Sequence, residues 1–155
     1  MADEHIILTS VRPENRTLAW REFRESLSNI DEIAYDQIIS FWGRHPQVDF
    51  YVDFDDISSW PTPWEIITNG QFCPTGMAIC IFFTLLYSRW DRDRLDIRVV
   101  KSPSDEKITT IVVIDDKIVL NYHCDRWVKL DDLDIIAMDL IVWNDDHYVS
   151  SRQIN

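Results

Sequence analysis

The run Thr75-Gly76-Met77-Ala78-Ile79-Cys80-Ile81-Phe82-Phe83-Thr84-Leu85-Leu86-Tyr87 is apolar around nearly its whole circumference when wound at 3.6 residues per turn. A helix on a protein surface carries one apolar stripe and turns a polar face to water, whereas a helix without a polar face has to be enclosed by other elements. It is also well short of the roughly 20 apolar residues that cross a bilayer. The rest of the chain must therefore supply its walls.

One wall lies downstream. Leu95 to Val100, Lys107 to Ile114 and Lys117 to Tyr122 read as strands, the last two joined by the tight turn Asp115-Asp116, and a fourth is expected over Ile135 to Trp143. Arg126 to Asp132 reads as loop or short helix. Upstream, His5 to Thr9 reads as a short strand and Val11 to Asn15 as a polar connection. Thr17 then caps a short helix with Trp20, Phe23 and Leu27 at helical spacing. A second helix begins at Asp31, carries the stripe Ile33, Ala34, Ile38, Ile39 and Trp42, and is stopped by Gly43 and Pro46, with His45 capping its end. Val48 to Phe54 is strand-like, and Trp60-Pro61-Thr62-Pro63-Trp64 is a rigid turn opening a short helix from Trp64 to Thr68 that Asn69-Gly70 ends. The expectation is an α+β fold: a buried central helix on a largely antiparallel sheet, with an N-terminal helical extension.

A chain of 155 residues forms one domain that buries roughly two-thirds of its unfolded surface. Residues 1–59 read as N-terminal strand and helices, 60–145 as the helix-plus-sheet core, and 146–155 as a polar tail that frays or docks on a partner. A net charge of −12 disfavours nucleic acid and anionic membranes as direct partners, because phosphate recognition runs on Lys and Arg. Three cysteines, Cys73, Cys80 and Cys124, make no disulfide framework and fit a reducing compartment. The acidic start Met1-Ala2-Asp3-Glu4-His5 is unlike a signal peptide, which opens on a basic region, and the expectation is a soluble protein.

The chemistry-bearing candidate is Cys73, set directly before Pro74 at the head of the apolar helix. Proline pre-forms the first helical turn, and unpaired N–H groups with the helix dipole lower the pKa of a thiol placed there. The plainer reading, and the favoured one, is a small buried hydrophobe. Cys80 is core. Cys124 beside His123 lacks a second ligand pair at zinc spacing, so no metal is expected; no pattern asks for a cofactor either. The acidic runs at Asp53 to Asp56, Asp115-Asp116, Asp131-Asp132 and Asp145-Asp146 lack the glycine of an EF-hand loop and read as solvated turns. Trp60 and Trp64 are candidate binding anchors, with core packing the alternative that weighs more. His5 and His147 need no function.

A Cys-headed buried helix followed by two paired strands resembles the transglutaminase-like branch of the papain-type cysteine enzymes, over roughly Trp60 to Leu130. The resemblance implies a nucleophile at Cys73, an orienting residue at Asn121 in Val119-Leu120-Asn121-Tyr122, and a histidine position falling on Thr109 or Thr110. Threonine cannot accept a proton near neutral pH. His123 shares the strand face of Asn121 but lies about 6–7 Å further along at about 3.3 Å per residue, and proton transfer needs contact at about 2.6–3.2 Å. Trp60 to Glu65, the Cys-headed helix and Ile118 to Tyr122 together resemble small tailed-bacteriophage proteins with a degenerate core of this kind. That implies a non-catalytic structural or interaction protein, a virion component or an assembly or host-interacting factor, in the bacterial cytoplasm or the virion, with a protein partner. The alternatives are a cysteine-dependent acyl-transfer enzyme or hydrolase using Cys73, His123 and Asn121, and an acidic decoy that binds a nucleic-acid-binding protein.

Overall fold

A computed structural model describes residues 7–48, 56, 59–88, 90–104, 106–144 and 147–151. Its helices are α1 (Pro13–Glu25), α2 (Asp31–Gly43), α3 (Pro63–Asn69) and α4 (Pro74–Leu86). Its strands are β1 (Leu95–Lys101), β2 (Ile108–Ile114), β3 (Ile118–Val119), β4 (Val128–Lys129), β5 (Ile136–Asn144) and β6 (His147–Ser151). They form one sheet in the order β4-β3-β2-β1-β5-β6 with every pairing antiparallel. The fold is α+β.

The enclosure demanded by α4 is met. Every residue from Thr75 to Leu85 is buried; β1 and β2 lie on one side of the helix, and α2 and α3 pack against it elsewhere. Period-two alternation assigns the strand faces. Leu95, Ile97, Val99, Val112 and Ile114 join the core under α4, and Val100, Ile111, Val113 and Val119 make a smaller cluster on the opposite face with Tyr122, Leu130 and Ile135.

Polar ties locate the helices within this apolar mass. Thr84 Oγ1 donates to the Cys80 carbonyl at 2.6 Å and accepts from the indole N–H groups of Trp20 at 2.9 Å and Trp42 at 3.1 Å. One hydroxyl thus satisfies two buried indoles and joins α1, α2 and α4. Arg16 on α1 is buried with carbonyl partners: Nε donates to Leu8 and Val11, and Nη1 to Thr68 at 2.7 Å near the end of α3. A guanidinium there answers carbonyls that a helix C-terminus leaves unpaired. Thr62 and Glu65 close a capping box at the start of α3, and Gly70 ends it at φ 70°.

The turn Asp115-Asp116 forms as expected, with φ of 56° and 57° and Lys117 N–H donating to the Ile114 carbonyl. Two left-handed residues reverse the chain within a three-residue connection, since Ile114 pairs with Ile118, and Asp tolerates that region. Arg94 grips the Asp115 carboxylate through two bonds at 2.8 and 2.7 Å.

Several boundaries differ from expectation. Residues 8–10 form a 3-10 turn instead of a strand, because Leu8 N–H is taken by a histidine side chain. The first helix begins at Pro13, not Thr17: Pro at N1 loses no hydrogen bond there. Ile33 is 46% exposed and leaves the α2 stripe. The third strand stops at Val119, and Asn121 continues its bonding with a side chain. Arg126 to Asp132 contains β4 and a 3-10 turn. Residues 147–151 form a strand that pairs with β5, where a polar tail was expected. His5, most of the strand expected at 48–54, most of the acidic run at 53–56 and the doublet at 145–146 lie outside the described residues.

Candidate functional site

The site is the N-terminal end of α4. Cys73 is the N-cap, extended at φ −85° and ψ 168°, and Sγ accepts from the Gly76 N–H at 3.2 Å. Pro74 occupies N1, so α4 starts here because its first donor is absent and its third is capped by sulfur. Cys73 is buried at 6% exposure and borders a cavity of about 280 Å³ with Glu65, Gln71, Thr75 and Gly76. A lone N-capping thiol explains the local sequence without any chemistry.

Two residues further, the helix meets the sheet. Thr75 Oγ1 and Thr110 Oγ1 are 2.9 Å apart and both are buried. Of the two threonines on the histidine position of the resemblance, Thr110 is thus the one that faces the helix head. Its partner is Thr75, not Cys73. Asn121 lies on the other side of Thr110: its amide oxygen accepts from Val112 N–H at 2.7 Å and its amide nitrogen donates to the Thr110 carbonyl at 2.9 Å. Both ends of the amide are thereby bound to the β2 backbone.

His123 packs edge-on against Tyr122 and lines a different, larger cavity of about 450 Å³. The walls of that cavity include Trp42, Pro74, Met77, Ile81, Thr110 and Asn121, and Cys73 is not among them. The two cavities meet at the hydroxyl pair, with Thr75 bordering one and Thr110 the other. Asn121 and His123 therefore share a cavity, and Cys73 borders its neighbour.

Cys80 is fully enclosed, and burial, reinforced by the nearby Cys73, pushes its thiol pKa well above the usual value. Cys124 is exposed. Its carbonyl oxygen lies so close to Gly43 that any Cβ there would collide with it, which explains the glycine at the end of α2. His45 is 3% exposed, and Nε2 accepts from Leu8 N–H at 2.9 Å. Burial holds its imidazole pKa below the ordinary value, against the opposing pull of the Trp42 and Phe41 carbonyls. It ties the N-terminal turn to the end of α2, a role wider than the cap expected of it.

Trp60 is buried at 5% and belongs to the core. Trp64 is 43% exposed and packs against Trp20, Phe83 and Tyr87, with ring centroids 5.7–6.2 Å apart. The Arg24 guanidinium lies over the Trp20 ring at 4.3 Å and the Tyr87 ring at 5.7 Å. Sequence reasoning noted Thr84 as a polar interruption of the apolar helix but assigned no partner to it or to Thr75. A hydroxyl inside an otherwise apolar helix is itself the signal, because it has to find a partner.

No family model matches the chain, and no curated protein does. Among solved structures, calcium-bound Legionella pneumophila LapG matches with a TM-score of 0.71 at 18% identity, covering 94% of this chain and 85% of that one. Another LapG structure matches with a TM-score of 0.71 at 18% identity over 91% and 82% of the chains, and the EGTA-treated form with 0.68 at 18% over 94% and 82%. Calcium belongs to that protein; here, among the described residues, no group of three His, Cys, Asp or Glu side chains converges to hold a metal. No described helix is long and apolar enough to cross a membrane. The likeness is one of fold, and the fold of this chain is transglutaminase-like.

Proposed function

We propose that this chain is a non-catalytic interaction or structural protein of bacteriophage origin, in which a transglutaminase-like scaffold is kept and the acyl-transfer chemistry is lost. The observation that carries this reading is the 2.9 Å hydroxyl pair Thr75–Thr110. A threonine stands where the family places its base, and it is closed against a second threonine on the helix head. Neither hydroxyl accepts a proton at neutral pH. Asn121, the orienting residue of the resemblance, spends its amide on backbone. The work of the protein is then to bind another protein, as a virion component or as a factor acting on assembly or host proteins in the bacterial cytoplasm.

The second reading, a cysteine-dependent acyl-transfer enzyme, is favoured by one observation: Cys73 sits at the N-terminus of α4 beside a cavity. Alkylation of the native protein with iodoacetamide across pH 5 to 9, followed residue by residue by mass spectrometry, separates the two. The expected result is modification of exposed Cys124 first, with Cys73 and Cys80 slow at every pH. Rapid modification of Cys73 at pH 6 that His123→Ala abolishes would establish the enzyme and end the non-catalytic reading.

A further inference from the structure

His45 follows the last turn of α2 and packs among the rings of Phe41, Trp42 and Phe72, with centroids 5.7, 5.4 and 4.9 Å away. Its Nε2 accepts from the Leu8 N–H, so the neutral ring carries its proton on Nδ1, and that nitrogen is buried with no partner in hydrogen-bond geometry. A second proton would fall on Nε2. It would set donor against donor at Leu8 and leave a charged ring without a well-placed acceptor on either nitrogen.

Among the described residues no anion faces the ring to neutralise that charge. The titratable side chains in the walls of the cavity that His45 borders are Lys107, Tyr122, His123 and Cys124, with no carboxylate. From the α4 side the same walls bring Pro74, Met77 and Ile81, and the Phe72 segment brings an aromatic ring. Arg44 precedes His45 in the chain, and Arg16 of α1 stands on the other side of Leu8. The pull toward the imidazolium comes from the Trp42 and Phe41 carbonyls, and burial outweighs it. A proton on this ring therefore requires either the ring or the N-terminal turn to move away.

The ring is the better anchored of the two. It sits in mid-chain: the His45 N–H donates to the Trp42 carbonyl at 3.1 Å, and Gln47 bridges to Phe72 just beyond it. The turn Leu8–Ser10 is gripped at both backbone groups of Leu8, its N–H by His45 and its carbonyl by Arg16 Nε at 2.9 Å. A guanidinium keeps its charge at every pH a protein meets. Of the two grips, the one made by His45 is thus the one that responds to a proton.

We infer that the 3-10 turn Leu8–Ser10 is a proton-released strap, closed on neutral His45 and drawing Leu8 out of the core when the imidazole is charged. Acidity then decides whether the N-terminal segment lies on the body of the protein or is offered to a partner. The device goes beyond the function proposed above and does not depend on whether Cys73 is reactive.

The test is amide hydrogen exchange together with imidazole titration by NMR, on the full isotopically labelled chain between pH 7.5 and pH 5. The His45 signal is identified by its absence in His45→Gln. Opening takes up one proton, so protection of the Leu8 amide, corrected for its intrinsic exchange rate, should fall about tenfold per pH unit below about pH 6.5 until His45 itself has titrated. Amides of α4 and of β1 and β2 should keep their protection. In His45→Gln the side-chain oxygen accepts at every pH, and protection of Leu8 should no longer depend on pH. Constant Leu8 protection while His45 titrates overturns the proposal, because the ring and not the turn has moved. Equal losses in α4 overturn it as unfolding of the whole chain, and an undiminished pH dependence in His45→Gln gives the proton to another group. The comparison of Leu8 with α4 in the wild type decides the matter even where the variant fails to fold. Rapid, His123-dependent alkylation of Cys73 would remove the non-catalytic reading and leave the strap standing.

Discussion

Thr75 on α4 and Thr110 on β2 stand 35 residues apart in sequence and share a buried hydrogen bond of 2.9 Å, the polar joint between helix head and sheet. Removing one hydroxyl leaves the other buried and unpaired, at a cost of about 1–3 kcal/mol, whereas removing both together costs much less than the sum. Urea unfolding of Thr75→Val, Thr110→Val and the double variant is expected to show this coupling. Additive losses would mean that the pair is not a joint.

Thr84 is a stronger case, because it answers two indoles at once. Thr84→Val keeps the shape and strands the N–H groups of Trp20 and Trp42, and a loss of about 2–4 kcal/mol is expected. Thr84→Ser retains the oxygen and should lose less than about 1.5 kcal/mol, chiefly for the missing methyl. Equal losses in the two variants, read by denaturant unfolding, would show that the methyl and not the hydroxyl matters.

His45 predicts how stability depends on pH. Its pKa is depressed by burial in the folded chain, so the unfolded chain binds more protons between the folded pKa and the ordinary value of about 6.5. Its contribution is complete above that value and is lost as pH falls through the folded pKa, because Nε2 must remain unprotonated to accept from Leu8 N–H. Thermal unfolding of the wild type should shift down between pH 7 and pH 5. His45→Gln should lower stability at pH 7 and flatten that pH dependence; an unchanged slope would remove His45 as its source.

Gly43 ties the end of α2 to the loop that carries Asn121 and His123. A methyl at this position meets the Cys124 carbonyl, so Gly43→Ala should destabilise by about 1–3 kcal/mol through overpacking, despite the better helix propensity of alanine. Hydrogen exchange at Leu120–Cys124 should quicken in the variant. Stabilisation instead would mean that the loop moves aside without cost.

Much of the architecture is legible in local pattern. The enclosure of α4 follows from its lack of a polar face, the Asp115-Asp116 turn from its residues, and α2 from its apolar stripe, whereas Gly43 lies within α2 and is required by the nearby Cys124 carbonyl, with Arg44 as the C-cap. The failures have local causes too: Pro13 is a helix opener that resembles a loop residue, and Asn121 ends a strand by imitating its backbone. At the candidate site, the resemblance narrowed its histidine position to Thr109 or Thr110 without choosing between them, and Cys73 as helix head was readable. Thr75 as the partner was not, because nothing within one turn of helix indicates which residue of a distant strand its hydroxyl will meet.

Sequence by itself determined the class, the helices and the central strands, since hydrophobic period, proline and glycine act over a few residues and need no distant partner. Tertiary structure alone decided that Cys73 and His123 border separate cavities, that Trp60 is core while Trp64 is half in solvent, and that Thr75 meets Thr110. Each of these depends on contacts between residues far apart in the chain, which are set by how whole faces of helix and sheet come together.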